Sequence, residues 1–221
     1  MAPKTHSPGR LIAIDGSRGA DLARSADRLA TALRAQGVEA VISRWDASGL
    51  FGELAQASER TSASPRTLSL VYAADLAFRL RWEIRTALAA GAVVIAAPYV
   101  ETAVTFGTGC GLPEQWLREL LRFAPQPDVQ CAARERKRDR GWKPRLDRGY
   151  PEYCAALFAP SSPRLVSRTA RAAMIAALAA PRGRRVYELS GSGVDTAAKA
   201  IIRSRPAASS PGSSRPRSAR R

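Results

Sequence analysis

The first part of the chain combines a short apolar strand, a tight turn and an amphipathic helix, and this order strongly restricts the fold. Residues 11–14 form an apolar run that ends in an Asp-Gly turn. Residues 22–35 then carry apolar side chains at helical spacing, which predicts a helix with one buried face. Gly37 is a natural end for that helix, and residues 38–42 predict the next strand. A strand, a helix and a strand in this order form a βαβ unit, which implies parallel strands.

The rest of the chain continues this alternation of strands and helices. Further strands are predicted at residues 92–96, 128–132 and 186–189. Helices are predicted at residues 50–60, 65–90, 113–121, 163–180 and 196–203. The sequence therefore predicts an α/β fold of three layers, with a parallel sheet of about five strands flanked by helices.

The length and the ends of the chain suggest one domain with two flanking segments. The 221 residues suit a single α/β domain, which is expected to span residues 10–204. Residues 1–9 are expected to form a flexible N-terminus. Residues 205–221 are rich in Ser, Pro and Arg and are expected to be disordered.

Several classes of protein are disfavoured by composition. No apolar run is long enough to cross a membrane, and residues 1–9 lack the apolar core of a secretory signal. The three cysteines, Cys110, Cys131 and Cys154, are far apart and predict neither a disulfide framework nor a metal site. The sole histidine is His6, so a histidine-dependent catalytic triad or metal site is not expected. These features favour a cytoplasmic protein without a bound metal.

The formal net charge of +16 is concentrated in two segments. Residues 134–148 hold eight basic and three acidic side chains, and residues 203–221 hold six arginines and no acid. One interpretation is a surface for nucleic acid or polyphosphate. The alternative is a solvated basic loop followed by a solvated tail. The sequence leaves both interpretations open.

The first turn between strand and helix resembles a known family. Residues 11–33 read LIAIDGSRGADLARSADRLATAL, and they are similar without a gap to the opening of thymidylate kinases. That opening is an apolar strand, the phosphate-binding pattern E-G-x-D/E-G-x-G-K-S/T, and a helix. Five shorter segments resemble the same family in the same order: Val71–Asp75, Gly91–Thr102, Gly109–Leu112, Arg122–Ala124 and Pro127–Val129. The resemblance covers residues 10–130 and implies a P-loop NTPase-like fold and a thymidylate kinase-like domain.

The phosphate-binding loop departs from the family pattern at the positions that carry its chemistry. In such a loop, a lysine neutralises phosphate oxygens and a Ser or Thr hydroxyl holds Mg²⁺. Leu22 and Ala23 stand at those two positions, and Asp21 replaces the preceding glycine. The remnant of the loop comprises Gly16, Arg18, Gly19, Asp21 and Arg24. Asp21 is expected to repel a triphosphate, while Arg18 or Arg24 is the alternative source of a cation.

A second departure affects the acceptor side of the site. Ala97 and Pro98 stand where the family's D-R-Y segment has an aspartate and an arginine, and Tyr99 is retained. Leu76 replaces a further arginine of the family. No catalytic residue is therefore assigned, and Leu22, Ala23, Ala97 and Pro98 are treated as degenerate positions.

Two groups of side chains remain that the resemblance relates to nucleotide binding. A nucleobase pocket would be formed by Arg44, Tyr72, Tyr99 and Phe106. The alternative for these aromatic residues is ordinary packing in the core. A lid over ATP would be formed by Arg134, Arg136, Arg138 and Arg140, and the alternative is a solvated basic loop.

The resulting functional hypothesis is a catalytically inactive pseudokinase that acts as a binding or scaffold protein. The first alternative is an active dTMP kinase with displaced catalytic residues, which would use ATP and Mg²⁺ to make ADP and dTDP. The second alternative is a nucleic-acid-associated protein that uses its basic segments. The resemblance implies a homodimer, or a heterodimer with an active kinase, as well as a nucleotide ligand, and no membrane partner is expected.

Overall fold

The strands form a single parallel sheet. The computed structural model of the chain describes residues 9–16, 19–57, 64–133, 186–189 and 192–203. Their strands are β1 (Arg10–Asp15), β2 (Ala40–Arg44), β3 (Val93–Ala97), β4 (Val129–Ala132) and β5 (Val186–Glu188). The sheet has the order β2-β3-β1-β4-β5, and every pairing is parallel. The predicted α/β fold with a parallel sheet of about five strands is confirmed.

The helices of the described residues lie on both faces of this sheet. They are α1 (Gly19–Arg34), α2 (Leu50–Ala57), α3 (Pro65–Arg79), α4 (Arg85–Ala89), α5 (Val100–Gly109), α6 (Glu114–Leu120) and α7 (Gly193–Arg203). A π-helical segment, Leu80–Ile84, joins α3 to α4, so the predicted helix at 65–90 is continuous to Ala89. No helix within the described residues is both long and apolar enough to span a membrane.

The sheet divides the apolar core into two clusters. On one face, Ile12 and Ile14 of β1 pack with the buried sides of α1 and α7. On the other face, Leu11 and Ala13 pack with residues of α3, α5 and α6. This alternation follows from the strand geometry, because successive side chains point to opposite faces. The predicted three layers are therefore helix, sheet and helix.

The boundaries of α1 and β2 differ from the sequence predictions. The helix begins at Gly19, three residues before the predicted start at residue 22. Strand β2 begins at Ala40, because the N–H of Val38 is used to close the end of α1 by donating to Leu33 O at 3.1 Å. Gly37 occupies the left-handed region at this end, with φ of 72°. The prediction of Gly37 as a helix end is confirmed, and the predicted strand start at residue 38 is wrong.

Other predicted elements are present with shifted ends. Strand β4 begins at Val129, one residue after the predicted start. The residue before it, Asp128, fixes the alignment of β4 with β1: its N–H donates to Leu11 O and its carboxylate accepts from Leu11 N, both at 2.8 Å. Helix α7 begins at Gly193 rather than at residue 196. The predicted helix at 163–180 and the predicted termini at 1–9 and 205–221 lie outside the described residues, except that residue 9 is described.

Candidate functional site

The candidate site lies where β1 and β3 end side by side. In open α/β sheets, ligands bind in the crevice at the carboxyl ends of the strands. Strand β1 ends at Asp15 and β3 at Ala97, and the chain after β3 enters α5 at Val100. The first turn of α5 therefore faces the end of β1. The phosphate-binding loop implied by the resemblance would begin at this same end of β1.

Asp15 supplies the cap of α5 from a distant part of the chain. Tyr99, the N-cap residue, makes no side-chain capping bond. Instead, one carboxylate oxygen of Asp15 accepts hydrogen bonds from Tyr99 N at 3.0 Å, Thr102 N at 2.9 Å and Thr102 Oγ1 at 2.8 Å. Thr102 Oγ1 in turn accepts from Gly16 N at 3.1 Å. These bonds satisfy backbone donors that a helix start otherwise leaves without partners. Asp15 therefore ties the loop after β1 to the start of α5.

The environment of Asp15 changes its acidity. Burial raises the pKa of Asp15 from 3.8 to about 6, while the hydrogen bonds from Thr102 and Tyr99 act in the opposite direction. The folded chain therefore holds the Asp15 proton more tightly than the unfolded chain does. It follows that the contribution of Asp15 to stability is largest below pH 3.8 and is lost as pH rises through about 6.

We expect Asp15→Asn to remove this pH dependence. The difference in pKa corresponds to a loss on the order of 3 kcal/mol for the wild type between acidic and neutral pH, which the neutral amide would not show. Urea unfolding of both proteins at several pH values between 4 and 7 would measure this loss. The difference between their free energies of unfolding should change with pH. Asp27→Asn, which alters an exposed carboxylate of α1, should retain the wild-type profile. Parallel curves for wild type and Asp15→Asn would contradict the assignment.

Leu22 lies in the core rather than facing a ligand. Its side chain is 2% exposed and belongs to the cluster under α1. A methyl group placed on Gly16 would lie 3.3 Å from Leu22 Cδ2 and 3.0 Å from the Cβ of Ala133. The Leu22 side chain thus packs close to the backbone of Gly16 at the start of the loop. The position predicted to have lost the lysine therefore carries a buried apolar contact.

The charged remnants of the loop contact each other. Asp21 is buried in the first turn of α1, and Arg24 Nη1 lies 3.7 Å from its carboxylate. Gly19 begins α1, and Ala23 is half-buried. Arg24 is exposed, and its described ion pair is with Asp21, so its charge is partly offset there. Arg18 lies outside the described residues.

The described residues of this site do not fit ATP with Mg²⁺. A triphosphate needs a cation at the lysine position and a hydroxyl for the metal, and Leu22 and Ala23 supply neither. The acid Asp21 adds a like charge close to where phosphate would lie. Within the described residues, no group of three or more His, Cys, Asp or Glu side chains could hold a metal ion.

The segment after β3 is held by a buried ion pair that the sequence analysis did not identify. Arg79 and Asp75 are both fully buried, and Nε of Arg79 lies 3.0 Å from the Asp75 carboxylate. Arg79 Nη1 donates to Pro98 O at 3.1 Å, and Tyr72 Oη donates to Tyr99 O at 2.8 Å. The carbonyl groups of Pro98 and Tyr99 are therefore fixed from α3.

The same ion pair also fixes the turn after β2. The Asp75 carboxylate accepts from Asp46 N at 3.1 Å, Ser48 N at 3.0 Å and Ser48 Oγ at 2.9 Å. Asp46 has a positive φ of 57°, and its own carboxylate accepts from Phe51 N at 2.8 Å at the start of α2. Asp75 and Arg79 thus connect two loops at the carboxyl edge of the sheet. Their spacing of four residues on a largely apolar helix was the sequence signal for this pair.

The residues assigned to a nucleobase pocket are placed in two different environments. Tyr72, Tyr99 and Phe106 are buried in one core cluster, and Tyr99 also borders the cavity beside Asp15. Burial raises the pKa of both tyrosines above their usual value. Arg44 instead forms an ion pair with Asp27 of α1 at 2.6 Å. The lid residues Arg134, Arg136, Arg138 and Arg140 lie outside the described residues.

A cavity of about 330 Å³ adjoins Asp15 on the α5 side of the sheet. Asp15, Tyr99 and Glu101 border it on one side, and Arg118 and Gln130 are also among its lining residues. Arg118 Nη1 lies 3.2 Å from the Glu101 carboxylate, so the charges at its wall are already paired. The cavity is therefore polar, and the second arginine of its lining, Arg122, is also paired, with Glu119 at 2.9 Å.

The two described cysteines, one buried and one half-buried, have the properties of apolar groups rather than of reactive thiols. Burial raises the pKa of Cys131 in β4 to about 12 and that of half-buried Cys110 to about 11. Both side chains are free of disulfides. Thiols with raised pKa values are poor nucleophiles at neutral pH.

Comparison with known proteins identifies a relationship over about half of the chain. A thymidylate kinase of Xanthomonas oryzae pv. oryzae is 40% identical over 126 residues, which are 55% of this chain and 54% of that protein. The thymidylate kinase of Xanthomonas euvesicatoria pv. vesicatoria matches to the same extent. The thymidylate kinase of Xylella fastidiosa strain M12 is 36% identical over 122 residues, 55% of this chain and 56% of that protein. No protein-family model matches the chain.

These matches agree with the architecture. The matched stretch spans only about half the length of the curated relatives. The five-stranded parallel sheet with helices on both faces is the arrangement of a P-loop NTPase-like α/β fold. On the combined evidence of sequence identity and fold, this chain is related to the thymidylate kinase family.

Proposed function

We propose that this thymidylate kinase-like chain has lost phosphoryl transfer and acts as a binding protein. The observation that carries this proposal is the position of Leu22. An apolar side chain that is 2% exposed and packs beside Gly16 stands where the reaction needs a cation facing phosphate. Phosphoryl transfer depends almost wholly on positioning and on charge stabilisation, so this replacement removes a main contribution to the rate.

The acceptor side supports the same proposal. Where the family pattern has an aspartate and an arginine, Ala97 is buried and the carbonyl of Pro98 accepts from Arg79. The carboxylate of Asp15 is occupied by the first turn of α5. The charged side chains of Arg79 and Asp15 at this edge of the sheet are therefore hydrogen-bonded to backbone groups of the protein. Such contacts stabilise the fold, and they leave fewer groups to hold a phosphate.

A coupled assay with dTMP, ATP and Mg²⁺ tests the proposal. The X. oryzae thymidylate kinase, which is 40% identical in the matched region, serves as the positive control. Kinases of this kind turn over at about 1–100 per second, and we expect a rate at least ~10³-fold lower for this chain. Turnover within the ordinary range would overturn the proposal and favour an active kinase with displaced residues.

Thermal-shift titration distinguishes a retained nucleotide site from pure protein binding. A ligand that binds only the folded state raises the melting temperature by mass action. We expect no stabilisation by ATP with Mg²⁺. Stabilisation by dTMP alone would indicate that an acceptor pocket persists, whereas none with either nucleotide would favour a role that does not use nucleotides.

The nucleic-acid alternative remains a prediction that salt dependence can test. The basic segment 134–148 and the residues after Arg203 lie outside the described residues. Binding through arginines to phosphates weakens steeply as salt increases. A nucleic-acid binder would also lose affinity when the chain is truncated at residue 205, and a partner-binding protein would not.

A further inference from the structure

The Asp15 carboxylate has one oxygen bound by the protein and a second oxygen at the wall of the cavity. The hydrogen bonds from Tyr99 and Thr102 are all accepted by Oδ1 of Asp15. Within the described residues, Oδ2 accepts no hydrogen bond and forms no ion pair. Asp15 is 5% exposed and lines the cavity, so Oδ2 is the atom that it presents to that space. A buried carboxylate oxygen without a donor is costly, which favours a ligand that donates to it.

The charges nearest to Asp15 do not compensate its own. The neighbouring charge that affects the pKa of Asp15 is that of Glu101, a second acid, which raises it further. Arg118 also lines the cavity, but two acids share it, Glu101 at 3.2 Å and Glu114 at 2.8 Å. Three acids and one arginine leave this group of side chains with a net charge of −2 when all are ionised.

The other cations that the structure describes near this end of the sheet are also paired with acids. These pairs are Arg122 with Glu119 at 2.9 Å, Arg79 with Asp75 at 3.0 Å, and Arg24 with Asp21 at 3.7 Å. The titratable neighbours of Asp15 are neutral at pH 7 because burial raises their pKa values; they are Tyr72, Tyr99 and Cys131. Among the described residues, each nearby cation therefore has an acid of its own, and Asp15 remains unbalanced.

The departures from the family pattern account for this imbalance. Asp15 stands at the first acid of the pattern E-G-x-D/E-G-x-G-K-S/T, so an acid is retained there. Leu22 replaces the lysine of that pattern, and Pro98 replaces the arginine of the D-R-Y segment. Pro98 directly precedes Tyr99, whose N–H donates to Asp15, so the missing arginine belongs to a position close to this carboxylate. An acid that is kept while the cations are absent suits a ligand that brings a cation.

The size and the wall of the cavity restrict this ligand further. The volume of about 330 Å³ lies at the lower end of the range for small-molecule sites. Gln130 of β4 lines the cavity, and its side-chain amide has no hydrogen bond within the described residues. The apolar part of the wall is formed by Val100, Leu121, Ala124, Pro125 and Pro127. A matching ligand is therefore small, with a polar cationic end and an apolar remainder.

A primary ammonium group suits these polar atoms better than other cations do. Its three donors are enough for Asp15 Oδ2 and for the amide oxygen of Gln130. A guanidinium group binds best to both oxygens of a carboxylate, and Oδ1 of Asp15 is already occupied. A divalent metal ion needs about six oxygen ligands, and the carboxylate of Glu101 is held by Arg118.

We infer that the cavity beside Asp15 binds a primary amine that carries a small apolar body. This inference rests on the proposed role of the chain as a binding protein and specifies the chemical class of one ligand. The ammonium group supplies the positive charge that Asp15 lacks, and the apolar body fills the space beside α5 and β4. Asp15 and Glu101 disfavour a phosphate in the same place.

Three probes with the same apolar body test the inference: 2-phenylethylamine, 2-phenylethanol and phenylacetate. They carry a cation, a neutral hydroxyl group and an anion, respectively. Titration of the full chain at pH 7, followed by NMR chemical shifts, gives their dissociation constants. We expect the amine to bind about tenfold more tightly than the alcohol, or more, and phenylacetate to bind more weakly than either.

The affinity for the amine should follow the ionisation of Asp15. Burial raises the pKa of Asp15 to about 6, so about a tenth of its carboxyl groups are ionised at pH 5 and about nine tenths at pH 7. The amine keeps its proton over this range, because such a group has a pKa near that of lysine. The dissociation constant of the amine should therefore rise about tenfold from pH 7 to pH 5, and that of the alcohol should stay constant.

Two variants test the assigned residues. Asp15→Asn should reduce the affinity for the amine to that for the alcohol and should remove the pH dependence. Gln130→Lys leaves Asp15 intact and supplies an ammonium group from the neighbouring strand. It should abolish amine binding without lowering the melting temperature at pH 7, so the test stays decisive if Asp15→Asn fails to fold. Asp27→Asn changes an exposed acid of α1 and should bind the amine like the wild type.

The amine titration and the kinase assay can fail separately. Turnover of dTMP and ATP would contradict the loss of phosphoryl transfer, whatever the amine does. Equal affinities for the three probes would contradict the amine site, even if the chain shows no turnover.

Three outcomes would overturn the inference. The first is that the wild type binds the amine no better than the alcohol, or binds neither. The second is that both Asp15→Asn and Gln130→Lys bind the amine like the wild type, which would place the ligand elsewhere. The third is that amine binding appears only in Arg134→Gln/Arg136→Gln/Lys137→Gln/Arg138→Gln/Arg140→Gln. That result would show that the chain supplies the cation itself.

Discussion

Replacing Arg79 with methionine is expected to lower the free energy of unfolding by about 3–5 kcal/mol. The guanidinium is fully buried, lies 3.0 Å from the Asp75 carboxylate and donates to Pro98 O. Without it, Asp75 remains a buried charge without its cation, and the carbonyl of Pro98 loses a donor. Removing one partner of a buried ion pair is costly for this reason, even where the intact pair contributes little. Urea unfolding followed by circular dichroism measures the change.

Arg44→Met is the matched control for this prediction. Arg44 also pairs with an aspartate, Asp27, but both side chains are about half exposed. Exposed pairs contribute about 0–1 kcal/mol, so this variant should be nearly as stable as the wild type. Similar losses for the two arginine variants would show that burial of the Arg79 pair has no special energetic role. A double-mutant cycle with Asp75→Asn then isolates the coupling between Asp75 and Arg79.

Restoring the lysine of the family, Leu22→Lys, is expected to destabilise the chain by about 3 kcal/mol without restoring phosphoryl transfer. Leu22 is packed among apolar side chains beneath α1. A lysine there loses those contacts and either buries its ammonium group or forces its stem out of the core. The acid Asp21 and the absence of a hydroxyl at Ala23 would still oppose the reaction. Chemical unfolding and the dTMP kinase assay measure the two parts of this prediction.

Leu22→Met provides the comparison for this substitution. A swap that conserves apolar volume usually costs less than about 1.5 kcal/mol, so most of the stability should remain. If Leu22→Lys were as stable as Leu22→Met, the side chain at this position would have free access to solvent. If it also gained turnover with ATP, the loop would be a working phosphate site that lacks a single residue.

The elements with local signals were predictable from the sequence. Strand β1, helix α1 and the end of α1 at Gly37 follow from apolar spacing and from a glycine that adopts a positive φ. The helical span at 65–89 was predicted because Pro65 marks its start and apolar spacing continues through it. Its π-helical segment was not, since that feature depends on packing rather than on the local pattern.

Helix α5 was not predicted, and its physical basis explains why. Its sequence, VETAVTFGTG, is rich in β-branched residues and glycine, which favour helices weakly. Its start is capped by Asp15, which lies 84 residues before Tyr99 in the sequence. A cap supplied from so far away leaves no signal near the helix. For the same reason, the link between Asp15 and Thr102 could not be derived from spacing.

The family residues that the site lacks could be predicted from the sequence. The contacts made by the residues that replace them could be predicted less well. The positions of Leu22, Ala23, Ala97 and Pro98 could be read directly against the family pattern. The burial of Leu22 and the bond from Arg79 to Pro98 O required the fold, because these residues are distant in sequence from their partners. Asp75 and Arg79 could have been noticed as an ion pair on one helix, but not as the support of two loops.

The central place of β1 in the sheet has a consequence for how the chain is made. Its two neighbours, β3 and β4, begin 78 and 114 residues after Asp15. Because synthesis adds about 5–20 residues per second, roughly 4–16 s pass between the synthesis of β1 and that of the first residue of β3. During that time an almost wholly apolar strand has both edges without hydrogen-bonded neighbours, the condition in which strands aggregate. Helix α1 follows β1 directly in the sequence and packs on Ile12 and Ile14, so we expect it to form first and to shield that apolar face of β1 before the sheet exists.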